Sequence, residues 1–504
     1  MKRNLKRLVS CLVLCALLTT GLTVPASAAR FSDVPAGYWA ADAIARCADL
    51  GLFQGKTATR FGVGEPMSRG AFSVALCRLF GWKTGKPTDL PYTDVPKDAW
   101  YAPSLAAALD HGAVTTQTDA FRPNEPLTRE ELAAALIRGL GYAPIAGLSQ
   151  QLDLPFTDVT TNRGYITMAY DMGLVNGTSQ TTFSPEKPAT REQCAVMLVR
   201  LYDKLHTAET SRVGIVTAET ALPDLTGFAA VAVGGLKLIG GNQPRLVATI
   251  KDPAPIRAAV AKSQVPQLLY VTGNANGLKA GQVAEVAGLL EQAVTDGGYA
   301  GLFLDFPELR ARDTRDTLTQ LTKTVKTALG SKLLYVAADV SGQSGKVYEG
   351  YDYTALSHAA DRLVLRVRPA APETAEEMTV APVEPLESVF YVLRHLREQV
   401  DPQKVTLWMT TTATVWQEGK KQAPMTGLQV DALLAHKRVE RYYSQRYGCA
   451  YLTTQLDFKP ATVWYPNTDS ARERAEMSRF FGVDQVCLSE LSGMSPTLLQ
   501  GLGQ

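Results

Sequence analysis

The stretch GYAGLFLDFPEL, residues 298 to 309, reads as a buried strand running out into a loop that carries two carboxylates, Asp305 and Glu308. Acids at a strand end can hydrolyse a glycosidic bond, provided one carboxyl is protonated and aimed at the leaving oxygen. Side chains alternate along a strand, so Phe303, Asp305 and position 307 share a face and Glu308 points the other way. Position 307 is Pro307, which has no proton to give. Proline does tolerate a bulge, and a bulge would rotate Glu308 back. Further on, DRLVLRVRP places Arg366 and Arg368 together on one alternating face. An arginine beside Asp305 favours the ionised carboxylate, the reverse of what a general acid needs. Two readings stand: a structural Asp305–Arg366 ion pair, or an active site relocated onto Glu219, Glu308, Asp339 and Glu490 at strand ends.

A second set of chemistry-bearing residues lies nearer the N-terminus. Arg69, Arg129 and Arg191 recur at spacings of 60 and 62 residues, each directly after Ser68, Thr128 or Thr190, residues that cap helices. At a helix start the macrodipole disfavours a cation by about 0.3–1 kcal/mol, so the threefold choice asks for a reason. Free N–H groups together with a guanidinium make a fork for a carboxylate or phosphate. The alternative is that each arginine pairs with an acid of its own repeat, Asp33, Asp94 or Asp158.

The elements that position these residues follow from periodicity. FSDVPAGYWAADAIARCADLGLFQG, YTDVPKDAWYAPSLAAALDHGAV and FTDVTTNRGYITMAYDMGLVNG open three similar units, each a helix, a loop and a helix. Apolar residues at Ile44, Cys47, Ala48 and Gly51, at Leu105, Ala108, Leu109 and Gly112, and at Ile166, Ala169, Tyr170 and Gly173 mark one buried face per first helix. Glu131 and Gln193 complete capping boxes at the second helices of units two and three. A helix pair this small cannot bury its stripe alone, so the three units pack as one body. The polar stretch DKLHTAET is the linker. Beyond it RLVATI, PQLLYVTG, YAGLFLDF, KLLYVAADV, DRLVLRVR, KVTLWMTTT, ATVWY and DQVCLSEL alternate with helices, which means a parallel sheet covered on both faces. With about 290 residues and eight strands, a (β/α)8 barrel is the natural closure.

Composition narrows the classes. Lys2, Arg3, Lys6 and Arg7 precede a short apolar run and PASAA, the pattern of an export signal over residues 1–28, with no membrane span retained after cleavage. Removing four of 51 Lys and Arg leaves 47 against 49 Asp and Glu, a balance that argues against nucleic acid. Cys47, Cys77, Cys194, Cys449 and Cys487 then remain, widely spaced and odd in number, with no disulfide framework or zinc spacing. No metal or cofactor is called for.

The triplicated FSDV, YWA, F-x-P and T-R-x-E elements resemble S-layer homology modules. The resemblance covers residues 31–203 and implies an all-α, three-pronged body over repeats 29–84, 85–145 and 146–204, ahead of a linker at 205–211. It further implies that grooves between prongs grip an acidic, often pyruvylated, secondary wall polymer attached to peptidoglycan. The residues it carries over are Arg69, Arg129, Arg191, Trp39, Trp100, Asp33, Asp94 and Asp158. Departures from the pattern are MSRGA without the glutamate, Thr115 and Thr116 at an expected turn glycine, and Gly164 and Tyr165 at the third tryptophan position.

Residues 212–504 resemble glycoside hydrolase family 18, especially bacterial spore-wall and cell-wall lysins, through GYAGLFLDFPE, YDYTALSHAADRLVLRV and VWYPNTDSARERAEMSRFFGVDQVCLSEL. The family implies cleavage of N-acetylglucosamine polymers by a glutamate acid, with the substrate's acetamide as nucleophile. Set against that pattern, the first aspartate falls on Ala300, the last on Asp305 and the acid on Pro307. The strand-six Met, Tyr and Asp positions become Arg366, Arg368 and Pro369, and the sugar-stacking Trp position is Ser489. The expectation is a wall-attached, exported protein of a Gram-positive-type bacterium with an inactive, glycan-facing barrel. The alternatives are an active N-acetylglucosaminidase in wall remodelling, or a scaffold that only binds polymer or protein.

Overall fold

A computed structural model describes residues 31–85, 90–115, 118–206, 210–218, 221–273, 278–342, 348–369, 380–382, 384–436 and 439–503. The expected export signal, Thr116, part of the linker and Glu219 lie outside the described residues. No helix among the described residues is long and apolar enough to cross a membrane.

The chain divides into two compact units. The first comprises the residues up to Leu140, Leu154–Asn162 and Leu174–Asp203. Its helices include Ala41–Asp49, Arg69–Leu79, Ala102–Asp110, Arg129–Gly139 and the start of Arg191–His206. Ser68 Oγ accepts the Ala71 N–H, and Thr128 with Glu131 forms a complete capping box. In the third repeat Gln193 Oε1 accepts the Thr190 N–H at 3.3 Å, but the Thr190 hydroxyl has no partner among the described residues, so that box is half made. Gly51, Gly112 and Gly173, expected on the buried stripe, instead end the first helices at φ of 70, 68 and 72°, a conformation costly for any residue with a Cβ.

Three backbone hydrogen bonds close the first unit into a ring. Met67 N–H donates to Ala189 C=O (2.9 Å), Ala189 N–H to Leu127 C=O (2.8 Å) and Leu127 N–H to Met67 C=O (2.8 Å). Each repeat thus satisfies a donor of one neighbour and an acceptor of the other, as stripes that cannot be buried singly require.

The second unit comprises Gly141–Asp153, Arg163–Gly173 and Lys204–Gln504. Within this unit the buried Asp171 carboxylate accepts Arg394 Nε and Arg397 Nη1, each at 2.6 Å. A buried acid goes where its cations are.

The strands are β1 Ser211–Val216, β2 Phe228–Ile239, β3 Arg245–Ala248, β4 Gln267–Gly273, β5 Gly301–Asp305, β6 Leu333–Ser341, β7 Arg362–Arg368, β8 Val405–Met409, β9 Thr414–Gln417, β10 Lys420–Lys421, β11 Glu440–Ser444, β12 Cys449–Leu456, β13 Lys459–Tyr465 and β14 Gln485–Leu488. Eight of them, β1, β2, β4, β5, β6, β7, β8 and β14, pair in parallel and close through β1–β2 into a barrel. Two expected barrel strands lie elsewhere: RLVATI is β3, antiparallel on β2, and ATVWY is β13, within a five-stranded antiparallel sheet inserted between β8 and β14. Inward residues such as Leu268, Phe303, Tyr335, Val364, Trp408 and Cys487 fill the barrel's interior.

Candidate functional site

Alternation from the buried Phe303, Ala337 and Val364 brings Asp305 of β5, Asp339 and Ser341 of β6, and Arg366 and Arg368 of β7 to the inner face at the strands' C-terminal ends. They form one network. Arg366 Nη1 and Nη2 grip Asp305 Oδ2 and Oδ1 at 2.9 and 2.8 Å, while its Nε donates to Asp339 Oδ1 at 2.5 Å. Arg368 Nε donates to the same Asp339 oxygen at 2.9 Å. Tyr270 Oη donates to Asp305 Oδ2 at 2.6 Å, and the Glu308 N–H donates to Asp339 Oδ2 at 2.5 Å. The Arg366 guanidinium also stacks 4.7 Å from the centre of the Trp408 ring.

Electrostatics fixes the charges. Burial pushes the Asp339 carboxyl up, but Arg366 and Arg368 overcome it and hold the group below its ordinary value. Burial pulls the Arg366 pKa down, yet Asp305 and Asp339 hold it well above normal. Tyr270 is pushed up, first by burial and then by the Asp305 charge. Every oxygen of the two aspartates accepts at least one donor, so neither is placed to deliver a proton.

Glu308 enters this network through its backbone. Strand β5 ends at Asp305, and Glu308 adopts a left-handed φ of 58° with an exposed side chain. Its carboxylate is therefore outside the network, although its amide is inside. The relocated acids do not converge: Asp339 is saturated by arginines, and Glu490 accepts the Thr217 N–H and the Ser492 N–H. At Ser489 the hydroxyl accepts the Thr411 N–H at 3.0 Å, a strand-end tie.

One acid at the barrel's edge had no sequence signal. Glu384 is buried, accepts the Thr410 N–H at 2.8 Å and the Thr410 hydroxyl at 2.6 Å, and is pushed up in pKa chiefly by burial. It lines a cleft with Thr412, Thr414, Trp464 and Arg474 between β8 and the inserted sheet.

In the repeats the three arginines act alike. Arg69, Arg129 and Arg191 donate through Nε to the carbonyls of Phe121, Phe183 and Phe61, at 2.7, 2.9 and 2.9 Å, and lie over those same rings. Each therefore clasps the loop of the next repeat in cyclic order. From within its own repeat, Asp33 accepts the Phe61 and Gly62 N–H groups, Asp94 those of Phe121 and Arg122, and Asp158 those of Phe183 and Ser184. The arginines do not bond the aspartates of their own repeats; Arg69 pairs instead with Glu131 of the next.

The helix-start N–H groups expected to be free are also occupied. Those of Arg69, Arg129 and Arg191 donate to Glu125, Lys187 and Glu65 carbonyls at 3.0, 3.0 and 2.9 Å. Arg129 is 4% exposed and also bonds Asn176 O and Gln193 Oε1. Trp39 and Trp100 are in contrast 62% and 69% exposed.

The family model for the S-layer homology domain matches residues 30–73, 91–133 and 155–195. An endoglucanase of Bacillus sp. (strain KSM-635) is 28% identical over 223 residues, covering 40% of this chain and 23% of the relative. The surface-layer 125 kDa protein of Lysinibacillus sphaericus is 27% identical over 216 residues, covering 41% of this chain and 18% of the relative. The chain thus spans less than a quarter of the length of either. A chitinase structure from Chromobacterium violaceum ATCC 12472 has a TM-score of 0.48 at 19% identity, over 58% of this chain and 99% of that one. The chain carries three S-layer homology modules and, beyond them, an eight-stranded parallel barrel.

Proposed function

We propose that this is a cell-surface protein of a Gram-positive-type bacterium, attached to the wall by three modules that grip an acidic secondary polymer, with a barrel that faces glycan but no longer cleaves it. An endoglucanase and a surface-layer protein match this chain while differing in name, which supports attachment as the shared property. In this reading the repeats form an all-helical, three-pronged body. Trp39 and Trp100 offer open aromatic faces to sugar, and the loops clasped by Arg69, Arg129, Arg191, Asp33, Asp94 and Asp158 shape the grooves beside them.

The observation that carries the barrel's half is the saturated Asp305–Arg366–Asp339–Arg368 network, with Pro307 at the acid's position and the Glu308 carboxylate outside. A positioned general acid contributes roughly 10²–10⁴-fold in rate, and in this mouth Arg366 and Arg368 hold the Asp339 carboxyl below its ordinary value. Purified full-length protein should give no turnover on chitin oligomers or peptidoglycan glycan strands, and neither should Glu308→Gln. Hydrolysis by the wild type that disappears in Glu308→Gln would establish an active N-acetylglucosaminidase instead.

A further inference from the structure

The ion network at the barrel mouth leaves hydrogen-bond donors over. Asp305 and Asp339 balance Arg366 and Arg368, and their oxygens are already occupied. Arg368 spends only its Nε on Asp339, so among the described residues its two Nη groups are uncommitted, and its side chain is 24% exposed. A second cation, Lys421, is carried by the β9–β10 hairpin, which begins five residues beyond the end of β8. Lys421 has no acid partner among the described residues. Its ammonium is held below the ordinary lysine range, first by burial and then by the charge of Arg368. The charge of Arg368 thus reaches the Lys421 ammonium, and among the described residues no acid pairs with Lys421. Besides Asp339, the Glu384 carboxyl feels Arg368, but it is shifted towards its neutral form by burial and already receives two bonds from Thr410.

A neutral group points the same way. Ser341 lies two residues beyond Asp339 on the inner face of β6, directly opposite Arg368 in the β6–β7 register. It is 3% exposed, and among the described residues its hydroxyl has no hydrogen-bond partner. An orphaned buried hydroxyl is costly unless something that binds there satisfies it.

We propose that the barrel mouth is a receptor for an anionic group, a carboxylate or a phosphate borne on a sugar, held by Arg368, the Ser341 hydroxyl and Lys421. This goes beyond wall attachment and holds whether or not the barrel cleaves glycan. A mouth suited to a neutral acetamido sugar needs no surplus cation; one that receives an acidic sugar does.

The test is titration calorimetry of the full chain at low salt with three probes: N-acetylglucosamine, N-acetylmuramic acid and N-acetylglucosamine 6-phosphate. At least one acidic probe should bind about tenfold or more tightly than the neutral sugar, the worth of one charge-assisted contact, and the stronger of the two names the anion. Lys421→Gln and Ser341→Ala should each remove most of that gain. Neither side chain is in an ion pair among the described residues, so both variants should fold even if Arg368→Gln does not. Acidic probes that bind no better than N-acetylglucosamine would overturn the proposal. So would a gain that survives both substitutions, since it would then belong to another part of the protein.

Discussion

Arg366 holds two buried carboxylates at once, and that single residue decides what the barrel mouth can do. Replacing it with methionine keeps much of the volume but leaves Asp305 and Asp339 without their main counter-ion. Breaking a buried pair from one side typically costs about 3–5 kcal/mol. Calorimetry of Arg366→Met should show the barrel unfolding well below the wild type, and Asp305→Asn added to it should recover part of the loss. A shift of under about 1 kcal/mol would mean that the network is loosely held. The acid limb has a definite sign. Because the folded Asp339 carboxyl sits below its ordinary value, its contribution is complete above that value and is lost as pH falls through the folded one. At this scale part could be read beforehand: strand alternation puts Arg366 and Arg368 on one face, and the Asp305–Arg366 pair is found, while the bonds of both arginines to Asp339 need the strand order. Glu384 could not, because its burial depends on the inserted sheet and leaves no periodic trace in APVEPLE.

Among the elements, the repeats were legible because each repeats its own pattern three times, whereas the meaning of their arginines was not. A cation at a helix start is tolerable here because its donors reach a phenylalanine carbonyl and ring in the next repeat, a partner more than fifty residues away. Arg129→Ala should therefore lower the thermal stability of the repeat unit, by about 3 kcal/mol for the lost carbonyl bonds and ring contact. Unchanged melting would show the clasp to be dispensable. The barrel strands were harder: RLVATI and ATVWY have the apolar content of barrel strands, but a short run does not reveal whether its neighbours are parallel or antiparallel. Strands β1 and β2 carry weak sequence signals because SRVGIV is short and FAAVAVGGLKLI is broken by two glycines.

The helix Thr468–Phe480 supplies a pH dependence of the opposite sign. Burial raises Glu473 to about 7, against partial relief from Tyr443, Arg474 and Arg472. An acid raised on folding favours the folded state while protonated, so its contribution is complete below its ordinary value near 4.5 and fades as pH rises through about 7. Glu473→Gln should accordingly melt close to the wild type at pH 5 and above it at pH 8. Equal melting of the two at both pH values would show that the carboxyl is better solvated than its burial implies.

For the whole molecule, a formal charge of +2 over 504 residues, or 47 − 49 = −2 without the four basic residues of the expected export signal, gives no long-range field to draw the protein towards an acidic wall polymer. In the proposed reading attachment comes from local contact, and among the described residues of the repeats the open tryptophan faces are Trp39 and Trp100, while the arginines also hold loops. Full-length protein should co-sediment with sacculi that carry their acidic polymer and remain in solution with stripped sacculi. Trp39→Ala combined with Trp100→Ala should weaken sedimentation while leaving the melting temperature alone, because exposed rings contribute little to folding. Arg129→Ala should do the reverse first, lowering the melting temperature and reducing binding only near it. If Arg129→Ala instead abolished binding at a temperature where the repeats remain folded, its guanidinium would have to touch polymer directly, and its 4% exposure would have to increase on binding. Equal sedimentation with both kinds of sacculi would remove the acidic polymer from the reading and leave peptidoglycan itself as the partner.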